Sequence, residues 1–374
     1  MTETRGDTPA APEPSWHVWL QVVLLAVVLY AFLVSIGLLG SSFKLFGKGL
    51  ASQLIEMTSN PMVGLVAGVL ATTLAQSSST TTSITVSMVA AGALTIEGAI
   101  PVIMGANIGT SVTNTLVSMG HITRPEEFRR AMAGATVHDF FNLCCVLLLL
   151  PLELATGYLH WIATTMSDLF SGAGGMAFSS PLKAMTEPAV SLLLELVGKN
   201  PTIGVILALV LMYIALKFLV DLAKGIVVQR SGRFLNRYLF GAPLVAMLFG
   251  VAMTVMVQSS SITTSMVVPL VGAGILTLEA VFPFTLGANV GTTVTAMLAA
   301  LATGNIAAVT VAFAHLFFNL TGITIIYPIK PLRQIPLALA RKLAVLTSQK
   351  RMYAIVYVIG VFYVVPLVLI LVWR

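Results

Sequence analysis

A stretch of 53 residues, Pro61 to Thr113, recurs 182 residues further on as Pro243 to Thr295 without a gap, and 27 of those 53 positions are identical. The offset carries Gln76 onto Gln258, Gly92 onto Gly274, Glu97 onto Glu279, Pro101 onto Pro283 and Asn107 onto Asn289. A second pair of blocks follows, "HDFFNL" at His138 to Leu143 and "HLFFNL" at His315 to Leu320, at an offset of 177. A chain of this kind folds as two related halves, and what one half builds the other builds again.

Both halves must fold in lipid. Of the 374 residues, 57% are hydrophobic and only 9% charged, where a soluble domain has about 25% charged. Stretches such as Trp19 to Leu39, Pro201 to Val220 and Met352 to Trp373 have the ~20 apolar residues that a helix needs to cross a hydrocarbon core of about 30 Å. They are apolar on every face, so the alternating pattern of a membrane barrel does not fit. The first sixteen residues hold Pro9, Pro12 and Pro14 among polar neighbours and read as a disordered tail. No basic leader precedes the first apolar run, so that helix is expected to stay in the mature chain. The net charge of +6 sits in short loops beside the apolar runs, which is the pattern of a membrane protein and not of a nucleic-acid surface. Cys144 and Cys145 are adjacent, which fits neither an intrachain disulfide nor a metal-ligand spacing.

Charge also orients the halves. The loop "GHITRPEEFRR" of the first half carries Arg124, Arg129 and Arg130, whereas its counterpart "LATGNIAA" carries no charge. Beyond the second block the imbalance reverses: 157–200 holds only Lys183 and Lys199 as basic residues, while 330–351 holds six Lys or Arg. By the positive-inside rule, equivalent loops lie on opposite sides of the membrane. That is an inverted-topology repeat, the arrangement secondary transporters use to place a site between two related halves.

From Pro61 to Gly92 is 32 residues, about 48 Å as one helix and too long for the core. Two shorter arms fit better, Pro61 to Gln76 and Ser79 to Ala91, with "QSSS" at a turn between them; the second half repeats this over Pro243 to Gln258 and Ser261 to Ala273. Irregular backbone at that depth is tolerated only where it faces protein or water. Ser and Thr in membrane helices also serve as packing residues, and Thr72, Gln76, Ser79 and Ser83 would form one stripe of a continuous helix. The duplication of the row beside "GANIGTSVTNT" and "GANVGTTVTAM" favours a binding role.

The expected fold is therefore all-α and integral to the membrane, with two inverted-topology repeats, each holding a re-entrant helical hairpin and a broken transmembrane helix. Its expected order is a disordered tail at 1–16, a first transmembrane helix and connector at 17–58, repeat 1 at 59–156 and an external loop at 157–200. A transmembrane helix with a basic cytoplasmic connector follows at 201–240, then repeat 2 at 241–329, a basic amphipathic cytoplasmic segment at 330–352 and a last transmembrane helix at 353–374.

No Lys, Arg or His lies between Asn60 and Ser118, and His315 is the only one between Pro243 and Tyr327. The available groups are neutral oxygens, helix carbonyls and helix N-termini. Sodium suits the first two and an anion suits the last. Co-bound cations would neutralise the anion and make the two binding events interdependent. In the "GAN" segments Asn107, Thr110, Ser111 and Asn114 share one helix face, as do Asn289, Thr292 and Thr293, and Gly105, Gly109, Gly287 and Gly291 permit either a break or a close approach. Glu97 and Glu279 follow Thr95 and Thr277 and read as first-turn residues of helices. His138 and His315 are either hydrogen-bonding partners or part of the pathway. Asp139 is an acid inside a span, a functional candidate by default, and its counterpart is Leu316.

Through "QSSSTTTSITVSM", "PVIMGANIGTSVTNT", "FRRAMAGATVHDFFN", "QSSSITTSMVVPL" and "LGANVGTTVTAMLAAL", spanning about residues 60 to 330, the sequence resembles the type II sodium-phosphate cotransporter family. The resemblance implies sodium-driven uptake of inorganic phosphate across a plasma membrane, here a bacterial inner membrane, with no enzymatic activity and no cofactor besides the coupling sodium ions. It places both "QSSS" regions near substrate and ions. Candidate phosphate contacts are then Ser77, Ser78, Ser79, Ser259, Ser260, Ser261, Asn107 and Asn289. Candidate sodium ligands are Gln76, Thr81, Ser83, Thr110, Thr113, Asn114, Gln258, Thr264, Ser265, Thr292, Thr295 and Asp139. In that family an aspartate in "VHDFFN" goes with electrogenic transport, so Asp139 implies an extra sodium ion per cycle. Segment 157–200 lacks the large disulfide-bonded loop of the animal members, and the chain looks like a compact bacterial form. Two alternatives remain at this point: a membrane-embedded lipid-phosphate phosphatase, disfavoured by the missing intramembrane arginine, and a sodium symporter for another small anion.

Overall fold

A computed structural model describes residues 15–110, 112–174, 179–228 and 241–373, and among them every regular element is helical. The first half runs α1 (Ser15–Leu45), α2 (Gly47–Thr58), α3 (Pro61–Ala75), α4 (Ser78–Ala91), α5 (Ile96–Gly109), α6 (Val112–Ser118) and α7 (Pro125–Thr156). Next come α8 (Tyr158–Gly172), α9 (Ser179–Leu196) and α10 (Pro201–Val228). The second half repeats the order with α11 (Pro243–Val257), α12 (Ser260–Gly272), α13 (Leu278–Thr303) and α14 (Ile306–Ile326), and the chain continues as α15 (Lys330–Gln349), α16 (Met352–Ile359) and α17 (Val365–Trp373). The tail expected at 1–16 lies outside the described residues as far as residue 14, and α1 takes in the last two; residues 229–240, in the expected basic connector, also lie outside them.

Six helices among the described residues are long and apolar enough to cross a membrane: Val23–Leu45 within α1, α7, Pro201–Phe218 within α10, α13, α14, and the α16–α17 unit Met352–Trp373. The chain is a multi-pass membrane protein. α3, α11 and α12 are apolar but shorter.

The duplication in sequence is a duplication in packing. α3 lies along α5, and α11 lies along α13. The approach is close because glycines sit at the crossing: a methyl group added at Gly68 would strike the carbonyl of Val102, and one at Gly105 the carbonyl of Leu65. One repeat later, Gly250 meets Phe284 and Gly287 meets Met247 in the same way. Apolar attraction between helices is weak in lipid, and small residues that let backbones approach supply van der Waals contact instead.

The halves also interlock. α4 packs on α13 and α14 of the second half, and α12 packs on α6 and α7 of the first. A helix of one half thus fills a groove of the other, with Phe141 and Phe282 edge to face at 5.9 Å in the shared core.

One expectation is corrected. A broken helix was expected in each repeat, and the first half has an interruption at Thr110 between α5 and α6, but α13 runs unbroken from Leu278 to Thr303. A glycine costs a helix only about 1 kcal/mol, and in α13 Gly287 and Gly291 serve the close approach of α11 instead of a break. Among the described residues of 157–200 are the helices α8, which packs on α14, and α9, which packs on α1 and α13. In the last span, α16 and α17 are joined by a π turn at Gly360–Val364. Pro366 has no N–H to continue the α-helical ladder there.

Candidate functional site

Each hairpin turns at a glutamine. α3 ends at Gln76 with φ 53°, and α11 at Gln258 with φ 56°, both in the left-handed region. That conformation costs a non-glycine residue roughly 1–2 kcal/mol. Here side-chain bonds offset it. Gln76 Nε2 donates to the Thr73 carbonyl at 2.7 Å, while its Oε1 accepts from Thr113 Oγ1 at 2.9 Å. Gln258 does the same: it donates to the Val255 carbonyl and accepts from Thr295 Oγ1 at 2.8 Å. The next residue, Ser77 or Ser259, is extended and caps the following helix, accepting from Thr80 N at 3.2 Å and from Ile262 N at 3.4 Å. Two helix N-termini, those of α4 and α12, therefore begin at the two tips.

The tips meet. Ser79 Oγ donates to the Gln258 carbonyl at 3.2 Å, and Ser261 Oγ donates to the Thr110 carbonyl at 3.4 Å. Asn114 Nδ2 donates to Thr264 Oγ1 at 2.8 Å, and that hydroxyl donates on to the Ser260 carbonyl at 2.7 Å. Ser78, Ser79, Ser260 and Ser261 are each 3% exposed. Thr81 donates to the Ser77 carbonyl, and Ser265, half-buried, to that of Ile262. Ser83 is fully buried with no partner for its hydroxyl. Thr110 and Thr292, both buried, donate their hydroxyl protons back to the Ala106 and Ala288 carbonyls of the preceding helical turn.

The tips differ in one respect. Gln258 and Thr295 are buried, whereas Gln76 is exposed and Thr113 half-buried.

Asn107 and Asn289, candidates for phosphate contact, are engaged across the halves. His138 bonds Asn289 Oδ1, and Asn289 Nδ2 donates to Asn142 at 2.8 Å. In the reciprocal arrangement His315 lies 3.3 Å from Asn107 Oδ1. Asn142 and Asn319 donate to the backbone carbonyls of Asn107 and Asn289. Of the two sequence readings of these histidines, the structure shows the hydrogen-bonding one. Asp139, 3% exposed, accepts from the Tyr357 hydroxyl at 2.8 Å. Glu97 and Glu279 stand in the first turns of α5 and α13, as read from sequence, where they pair with His160 and Arg341, and Thr95 and Thr277 cap the same helices.

Two groups were not foreseen. Tyr357 lies outside the repeat in an apolar span, and no spacing ties it to Asp139. Thr72 and Thr254 are fully buried, their hydroxyls have no partner, and each presses against the glycine of the paired helix, Gly109 or Gly291. Their signal was present: they match under the repeat and lie four residues before the glutamines.

A helical membrane protein whose interlocked halves bring two polar, serine-rich tips together has the make-up of a carrier of small polar solutes. The chain matches the Na+/Pi-cotransporter family over residues 31–178 and 211–327, more than two thirds of its length, and belongs to that family, which is one of transporters and not of enzymes. It is 37% identical over 427 aligned residues to sodium-dependent phosphate transport protein 2A of Ovis aries, covering 93% of this chain and 67% of that protein. Against the Mus musculus 2A protein it is 37% identical over 425 residues, with the same coverage. Against the Homo sapiens 2B protein it is 35% identical over 444, covering 93% of this chain and 64% of that protein. No solved structure matches it.

Proposed function

We propose that this chain is a secondary active transporter that carries inorganic phosphate into the cell together with sodium, by alternating access between two inverted repeats with re-entrant hairpins. Family membership supports the substrate and the coupling ion. The single observation that carries the mechanism is the contact of the two tips across the halves, Ser79 on the Gln258 carbonyl.

The chemistry follows from what the tips offer. Phosphate takes the N-terminal ends of α4 and α12, with the hydroxyls of Ser77, Ser78, Ser79, Ser259, Ser260 and Ser261 as donors. Asn107 and Asn289 support that site through the polar pairs that join the halves. Sodium takes the neutral oxygens of Gln76, Thr81, Ser83, Thr110, Thr113 and Asn114 in one half and of Gln258, Thr264, Ser265, Thr292 and Thr295 in the other. The unpartnered hydroxyls of Thr72 and Thr254 add one oxygen to each set. With no basic side chain in these segments, sodium supplies the positive charge that a buried phosphate needs, and each ion raises the affinity of the other by the same factor. Asp139 binds a further sodium ion and makes the cycle electrogenic. Packing of α15 on α7 brings Arg341 beside Arg129 and Arg130, which supports a cytoplasmic side at that end and an external position for 157–200. The proposed location is the bacterial inner membrane.

Ser78→Ala and Ser260→Ala test the assignment in vesicles where insertion of the protein is checked separately. Loss of phosphate uptake by both supports it, and normal uptake by both removes the tips from the site.

A further inference from the structure

Where α7, α12, α13 and α15 converge, a pocket of about 430 Å³ opens to the surface. Its wall is apolar, with Ala133, Val271, Leu276, Leu278 and Ala344 all buried. Its rim carries Arg129, Arg130 and Arg341. Arg129 pairs with the exposed Glu126, and Arg341 pairs with Glu279. Arg130 spends its Nε on the Gly272 carbonyl at the end of α12, at 2.9 Å, and among the described residues no carboxylate pairs with it. The rim therefore keeps a net positive charge over an apolar floor.

The fold does not demand this charge. Under the 177-residue offset, the positions matching Arg129 and Arg130 are Ile306 and Ala307, at the start of α14. One end of the molecule has acquired arginines that its repeat-related end does without. The level is also defined: Arg129 and Arg130 lie in the first two turns of the α7 span, and Leu278 begins the α13 span. α15 runs along α7, with Leu332 and Ile335 beside Cys144, Leu147 and Leu148 and with Arg341 and Val345 beside Arg129 and Arg130, so its C-terminal part closes the pocket at the end where both spans begin. A basic rim above an apolar pocket between spans, at headgroup depth, is complementary to a molecule with an anionic head and hydrocarbon tails.

We propose that this pocket binds an anionic phospholipid, with its phosphate among the three arginines and an acyl chain along the wall formed by Val271, Leu276 and Ala344. Lipid there bridges the hairpin arm α12 to α7 and α15. The test is native mass spectrometry of the full chain released from detergent containing equal phosphatidylglycerol and phosphatidylcholine. The expected result is preferential retention of phosphatidylglycerol, falling about fivefold for each arginine lost in Arg129→Gln and Arg130→Gln. Arg130→Lys keeps retention, because it keeps the charge. Val345→Trp, at the exposed edge of the pocket, lowers retention of both lipids without altering charge. Thermal unfolding in detergent confirms that each variant is folded. Equal retention of the two lipids, or equal retention of phosphatidylglycerol by wild type and by Arg129→Gln, overturns the proposal. Displacement of the lipid by millimolar inorganic phosphate also overturns it and makes the pocket a site for the free anion. None of these readouts depends on transport.

Discussion

At the scale of single residues, the glycines at the helix crossings make the sharpest demand. Gly105→Ala and Gly287→Ala place a methyl group against the carbonyls of Leu65 and Met247, and α5 or α13 must move away. Each is expected to lower stability by roughly 1–3 kcal/mol, measured as thermal unfolding in detergent, whereas Gly120→Ala, with nothing within 4 Å of the added carbon, leaves it unchanged. Asp139 accepts from the Tyr357 phenol. Tyr357→Phe removes this donor from a buried carboxylate and is expected to cost about 1–3 kcal/mol. If Asp139 binds the additional sodium ion, Asp139→Asn lowers the charge moved per phosphate by one, which the ratio of current to tracer flux reads directly; an unchanged ratio sets that role aside.

At the scale of elements, the two hairpins share one design: a left-handed glutamine, a serine cap, and a threonine clasping the glutamine, from α6 in the first half and from α13 in the second. The clasps differ in their access to water, since Gln258 and Thr295 are buried while Gln76 is exposed. Thr295→Val leaves the Gln258 oxygen unpaired away from solvent, whereas water can replace Thr113 at Gln76. Thr295→Val should therefore be the more destabilising of the two, by about 1–2 kcal/mol in unfolding measurements; equal effects would show that the burial difference has no energetic weight. Much of this was legible in the sequence. The 32 residues from Pro61 to Gly92 are too many for one span, so a turn was required, and the polar run "QSSS" midway between them was where two half-length arms could meet. The continuity of α13 was not legible, because a glycine pair reads alike whether it breaks a helix or admits a neighbour. The pairing of His138 with Asn289 and of His315 with Asn107 was hidden for another reason: His and Asn four residues apart suggest a local pair, while these partners come from the other half. Tyr357 carried no signal at all, since its role exists only once α16 packs beside α7.

At the scale of the whole molecule, chemically matching tips differ in exposure, with Gln76 exposed and Gln258 buried. The proposed alternation between the halves predicts that this exposure is exchanged. With Cys144 and Cys145 replaced by alanine, Gln76→Cys is expected to react with a thiol reagent and Gln258→Cys to be protected, with the order reversed under ion gradients that favour the opposite state. Reactivity that never reverses would indicate a fixed structure. The central claim is coupling, and uptake of radiolabelled phosphate into proteoliposomes tests it most directly, comparing an inward sodium gradient with an equal potassium gradient at an imposed inside-negative voltage. The account predicts accumulation that requires sodium and grows with the voltage. Phosphate entry that is equal in potassium, or no entry by folded and inserted protein, would contradict it.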